Sequence, residues 1–105
     1  MNNIEILYYF KADDDSIFIE LKRLNYKQCT DKSKYVSWFR IINNQPNKLN
    51  FIKINENIRF FSEGELIINE HNNMFIENNE NKISIYNTDI DIDNIKLCTE
   101  YWNQI

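Results

Sequence analysis

A single glycine and a single proline among 105 residues leave no room for a collagen-like repeat or a Gly/Pro-rich linker. No apolar run approaches the ~20 residues that a membrane-spanning helix needs. Gly64 stands alone, so no glycine-rich loop can wrap backbone N–H groups around a phosphate, and nucleotide binding of that type is excluded. His71 is the sole histidine, which removes any histidine pair or triad. Cys29 and Cys98 lie far apart with no Cys-x-x-Cys spacing, and the start Met-Asn-Asn-Ile-Glu-Ile shows neither a basic leader nor a small-residue cleavage site. The expectation is a cytoplasmic protein with two reduced thiols rather than a disulfide.

What the chain has is core-forming material: 43% of its residues are apolar and 14% aromatic. A chain of this length buries roughly 65% of its unfolded surface, enough for one domain over residues 1–105. Asn and Ile occur 18 times each and Lys nine times, a bias toward A/T-rich codons. Part of the Asn and Lys content therefore reflects codon usage rather than selected chemistry.

Charge is divided unevenly along the chain. The net charge of -4 combines +3 over residues 1–59 with -7 over residues 60–105. Between residues 21 and 53, Lys22, Arg23, Lys27, Lys32, Lys34, Arg40, Lys48 and Lys53 face a single acid, Asp31. Such asymmetry bears on association and steering, not on fold.

The pattern predicts an α+β domain, an antiparallel meander of about six to eight short strands with two helices. Ile4 to Phe10 reads as a strand buried on both faces at the sheet centre. Ile17 to Leu24 fits both periods, and a helix over about 14–24 is preferred. Asp or Ser stands at its N-cap, Lys22 and Arg23 lie in its last turn, and Asn25 suits a left-handed C′ position. Strands follow over Tyr26 to Cys29, Lys34 to Ile42, Leu49 to Ile54, Ile58 to Phe61, Glu65 to Asn69, Met74 to Glu77 and Lys82 to Tyr86. Asn43 to Asn47 is expected as a loop and Asn72-Asn73 as a two-residue hairpin turn. Ile95, Cys98, Trp102 and Ile105, at helical spacing, predict a C-terminal helix over about 90–104.

Several constellations invite a chemical reading. Asp89-Ile90-Asp91-Ile92-Asp93-Asn94 with Glu100 sets carboxylates at positions 1, 3, 5 and 12 of a calcium loop. Ile90 and Ile92 occupy positions that are usually polar, and a strand rather than a helix precedes the run. An acidic first turn with Asp89 or Asp93 as the cap is the preferred reading, and neither a metal nor another cofactor is expected. Cys98 falls on the apolar stripe of the last helix, where an inert thiol is ordinary, and His71 falls at a hairpin tip. Glu63 and Glu65 flank Gly64 in an exposed turn, where no desolvation would tune them for acid–base work.

With no catalytic set assembled, the sequence points to a non-enzymatic protein-binding inhibitor. It is similar in type, though in no motif, to toxin-immunity proteins and phage anti-defence proteins (anti-CRISPR-like), which mask basic partners. The expected partner is a basic protein, such as a nuclease or another nucleic-acid-processing effector, and the expected contacts are Glu63, Glu65, Glu70, Glu77 and Glu80. The alternative is a single-stranded nucleic-acid module in segment 21–53. There Lys22, Arg23, Lys27, Lys34 and Arg40 would hold phosphates and Trp38 would stack a base. The acidic pI of 4.9 counts against this alternative.

Overall fold

The computed structural model describes residues 3–24, 35–69 and 74–105. Among the described residues, nine strands and one helix follow in chain order: β1 (Ile4–Ala12), β2 (Ile17–Arg23), β3 (Val36–Ile42), β4 (Gln45–Leu49), β5 (Phe51–Asn55), β6 (Ile58–Phe61), β7 (Gly64–Ile67), β8 (Met74–Glu77), β9 (Lys82–Asn87) and α1 (Ile92–Gln104). All pairings are antiparallel, in the spatial order β4-β3-β2-β1-β9-β8-β7-β6-β5.

That order fixes the overall curvature. β4 and β5 lie at opposite ends of the sheet, yet only Asn50 separates them. With ~3.8 Å between successive Cα atoms, Leu49 and Phe51 stay within about 8 Å of each other. The sheet must therefore curl until its ends meet, giving a near-barrel. Phe10, Ala12, Phe18, Trp38, Leu49, Phe61, Leu66, Ile76 and Ile85 fill its interior.

α1 covers the outer face of the first strands. Ile95, Cys98 and Trp102 share a second core with Tyr9, Ile19, Leu21, Phe39 and Ile41. Asp91 caps the helix by accepting from the Asp93 backbone N–H at 3.0 Å, and Asn94 Nδ2 donates to the Tyr9 hydroxyl at 2.9 Å. The last turn carries no basic residue of its own. Arg23 at the end of β2 supplies a cation there, 4.0 Å above the Trp102 ring and hydrogen-bonded to Asn103.

The helix expected over 14–24 is β2 instead. Two cores, not one, bury this segment: Phe18 points into the barrel, while Ile19 and Leu21 face α1. A strand buried on both faces reads as a nearly continuous apolar run, which imitates a helical stripe. The expected cap residues build a hairpin turn, in which Asp14 accepts from the Ser16 N–H at 3.0 Å and Asp15 adopts φ 67°.

The loop expected over Asn43 to Asn47 is also corrected. Asn43 and Asn44, at φ 50° and 64°, form the two-residue turn, and Gln45 already pairs with Ile42. Pro46 is tolerated because β4 is an edge strand. Leu49 to Ile54 is not one strand but breaks at Asn50. β1 has the expected two-faced burial only in its second half, where Tyr9 and Phe10 enter different cores. The strand expected over Tyr26 to Cys29 and the Asn72-Asn73 hairpin lie outside the described residues.

Candidate partner-binding face

Among the described residues, α1 packs on β1 to β3 and does not extend over the outer surface of β5 to β9. Register places Ile52, Phe60, Glu65, Glu77 and Lys82 side by side across five strands, a row about 19 Å long at the usual strand spacing. Directly paired residues project to the same face. One end of this row is apolar: Ile52 is 66% exposed and Phe60 45%, with Ile54 beside them at 52%. The middle is acidic, and Glu65 and Glu77 are direct cross-strand neighbours.

Two turns bring further carboxylates to the same end of the sheet. Asn78 Oδ1 accepts from the backbone N–H groups of Glu80 and Asn81 at 2.9 and 2.8 Å, which shapes the β8–β9 turn. Its Nδ2 donates to the Glu63 carbonyl at 2.9 Å and ties that turn to the β6–β7 turn. Gly64 permits this approach: its φ is 146°, and a Cβ there would lie 2.7 Å from the Glu77 carbonyl oxygen.

Glu63, Glu65, Glu77 and Glu80 are thus gathered at one end of the sheet. Among the described residues, none of the four forms an ion pair. Lys82, opposite Glu77, places its ammonium 4.1 Å from the centre of the Phe75 ring. Glu70 and His71 lie outside the described residues. Neither Asn78 as organiser nor Ile52 and Phe60 as apolar neighbours emerged from sequence reasoning. An Asn at a turn gives a weak signal of its side-chain bonds, and alternation alone does not tell an inward Ile from an outward one.

The residues of the basic segment are scattered. Trp38 is fully buried and has no surface on which to stack a base. Arg40 pairs with Asp14 at 2.6 Å, donates to Ser16 Oγ and lies over the Phe18 ring. Arg23 is engaged with Trp102, Lys22 borders a barrel cavity, and Lys27 and Lys34 lie outside the described residues.

Sequence reasoning also missed a buried ion pair in the barrel. Glu20 and Arg59, each about 3% exposed, bring Oε2 and Nε to 3.5 Å. Arg59 Nη1 donates to the carbonyls of Asn55 and Glu56, while its Nε–H and the Trp38 indole N–H face the Glu20 carboxylate. Burial pushes the Glu20 carboxyl above its ordinary value, and Arg59, the nearby Trp38 N–H and Lys53 act in the opposite direction.

Among the described residues, the remaining constellations are not brought together into one site. Burial raises the Cys98 thiol to about 12, so it is protonated and inert at neutral pH. Asp91, rather than Asp89 or Asp93, is the α1 cap. Among the described residues, no three His, Cys, Asp or Glu side chains are arranged to hold a metal ion. No described helix is long and apolar enough to cross a membrane. Comparison with known proteins finds no matching family model, curated protein or solved structure.

Proposed function

We propose that this protein is a non-enzymatic inhibitor that captures a basic protein partner on the outer face of β5 to β9. The observation that carries this reading is the row Ile52, Phe60, Glu65, Glu77: exposed apolar side chains running directly into carboxylates that form no ion pair among the described residues. Like charges directly opposite on neighbouring strands destabilise a sheet, so this arrangement costs the free protein stability. A cationic partner surface would offset that cost. Apolar anchors beside a charged rim are also the usual anatomy of a protein–protein contact.

The fitting partner carries a cationic groove, as a nuclease or another nucleic-acid-processing effector does, and occupying that groove would block it. This is how a toxin-immunity or phage anti-defence protein would act. Carboxylates around an apolar centre would speed encounter more than they deepen affinity. Segment 21–53 is the weaker candidate for direct nucleic-acid binding, since burial of Trp38 removes the intended stacking platform.

The test is capture from host extract at low and high salt, with wild type and a Glu63→Lys/Glu65→Lys/Glu77→Lys variant. The expected result is a basic protein retained by wild type, less so in high salt, and lost with the variant. Retention unaffected by the three reversals would overturn the mechanism.

A further inference from the structure

Lys82 has two neighbours of different chemistry on the outer face of the sheet. Glu77 lies directly opposite it on β8, and Phe75, two residues earlier on that strand, is its diagonal neighbour. The ammonium settles over the aromatic one, 4.1 Å from the centre of the ring. Among the described residues, it forms no ion pair.

The same register sets carboxylates beside that ring. Glu77 stands two residues along β8, and Glu65, directly opposite Glu77 on β7, is diagonal to Phe75. Phe75 is therefore an aromatic surface with two acids along the edge nearer the turns. A cation is already seated beside the acidic row, and it is the protein's own. The seat suits a guanidinium better than an ammonium, because a planar cation can stack on the ring while its fork of donors reaches carboxylates at the side. An ammonium is a strongly hydrated point charge. Lys82 is exposed, and an exposed contact of this kind costs little to release.

We propose that Lys82 is an internal stand-in for an arginine of the partner. In the free protein it lies over Phe75, and on capture a partner guanidinium takes its place between Phe75, Glu65 and Glu77. Lys82 thereby sets a threshold for cationic surfaces and favours arginine over lysine. This inference rests on the capture face proposed above and adds the residue that regulates it.

The experiment titrates the whole protein with hexa-arginine and with hexa-lysine at low salt, following the Phe75 ring proton resonances, which a Phe75→Leu variant assigns. The expected result is a saturable shift of those signals, with hexa-arginine bound about threefold or more tighter than hexa-lysine, the scale of one exposed cation–π contact. Lys82→Met should tighten hexa-arginine binding by about threefold beyond the gain from Lys48→Met, which removes the same charge from β4. Adding Phe75→Leu to Lys82→Met should abolish that excess. No saturable shift at Phe75 overturns the proposal, as do equal gains from Lys82→Met and Lys48→Met. So does an excess that survives Phe75→Leu, or equal binding of the two peptides by Lys82→Met. Because defined peptides replace the host partner, failure here leaves the capture test standing, and failure of capture leaves this exchange measurable.

Discussion

Glu65 and Glu77 stand directly opposite each other on β7 and β8, two carboxylates in a position where a sheet is stabilised by opposite charges or by apolar pairs. The turn contacts of Asn78 and the conformation of Gly64 hold this end of the sheet together despite the repulsion. On the proposed reading, stability and partner capture are set against each other at the same residues.

Replacing either acid should separate the two effects. Glu77→Thr is expected to raise stability by about 0.2–1 kcal/mol in denaturant titration, the range of a cross-strand pair. The same variant should capture less partner. A substitution that weakened both would indicate that Glu77 supports the fold instead.

The organising contacts make a second prediction. Asn78→Ala removes three hydrogen bonds from exposed turns and should loosen the acidic end without unfolding the barrel. Amide hydrogen exchange should rise at residues 79–81 while the core strands keep their protection. Gly64→Ala should be more damaging, since its Cβ would collide with the Glu77 carbonyl.

Two acids should give opposite pH slopes. Ser16 hydrogen bonds and Arg40 lower the Asp14 pKa against the opposing effect of burial, so its contribution is present above 3.8 and lost as pH falls through the folded value. Asp14→Asn should flatten stability below that point. Glu20 has its folded value raised above 4.5, so its ionisation opposes folding, and its contribution diminishes as pH rises from 4.5 through the folded value. Glu20→Gln should remove that decline. Urea midpoints across pH 2.5 to 7, on the order of one carboxylate titration, measure both slopes.

Burial also predicts the thiol chemistry. Iodoacetamide at neutral pH should leave Cys98 unlabelled in the native protein and label it in denaturant, with mass spectrometry locating the adduct. At the helix start, Asp91→Ala should cost about 1 kcal/mol whether or not calcium is added. A calcium-dependent rise in melting temperature would contradict the capping role.

The sequence made the antiparallel pattern and α1 legible because one-faced periodicity is a strong signal. Ile95, Cys98 and Trp102 announced the helix four or three residues at a time. It misled at β2, where Phe18 and Ile19 enter different cores and the alternation of a strand disappears. Closure of the sheet was invisible because it depends on where β4 and β5 end up, not on what either segment contains. Glu63, Glu65, Glu77 and Glu80 were singled out by their charge and their expected place at hairpin turns. Their apolar neighbours Ile52 and Phe60 needed the register, as did the Glu20–Arg59 pair, whose members are 39 positions apart in the chain.

The most direct measurement is the binding kinetics of the captured partner on immobilised protein at low and moderate salt. Glu65→Lys should slow association by roughly tenfold at low salt and flatten its salt dependence, because steering depends on long-range charge. Phe60→Asp should chiefly accelerate dissociation, because short-range packing is lost. Rates unchanged by both substitutions would place the partner elsewhere on the molecule and contradict the account.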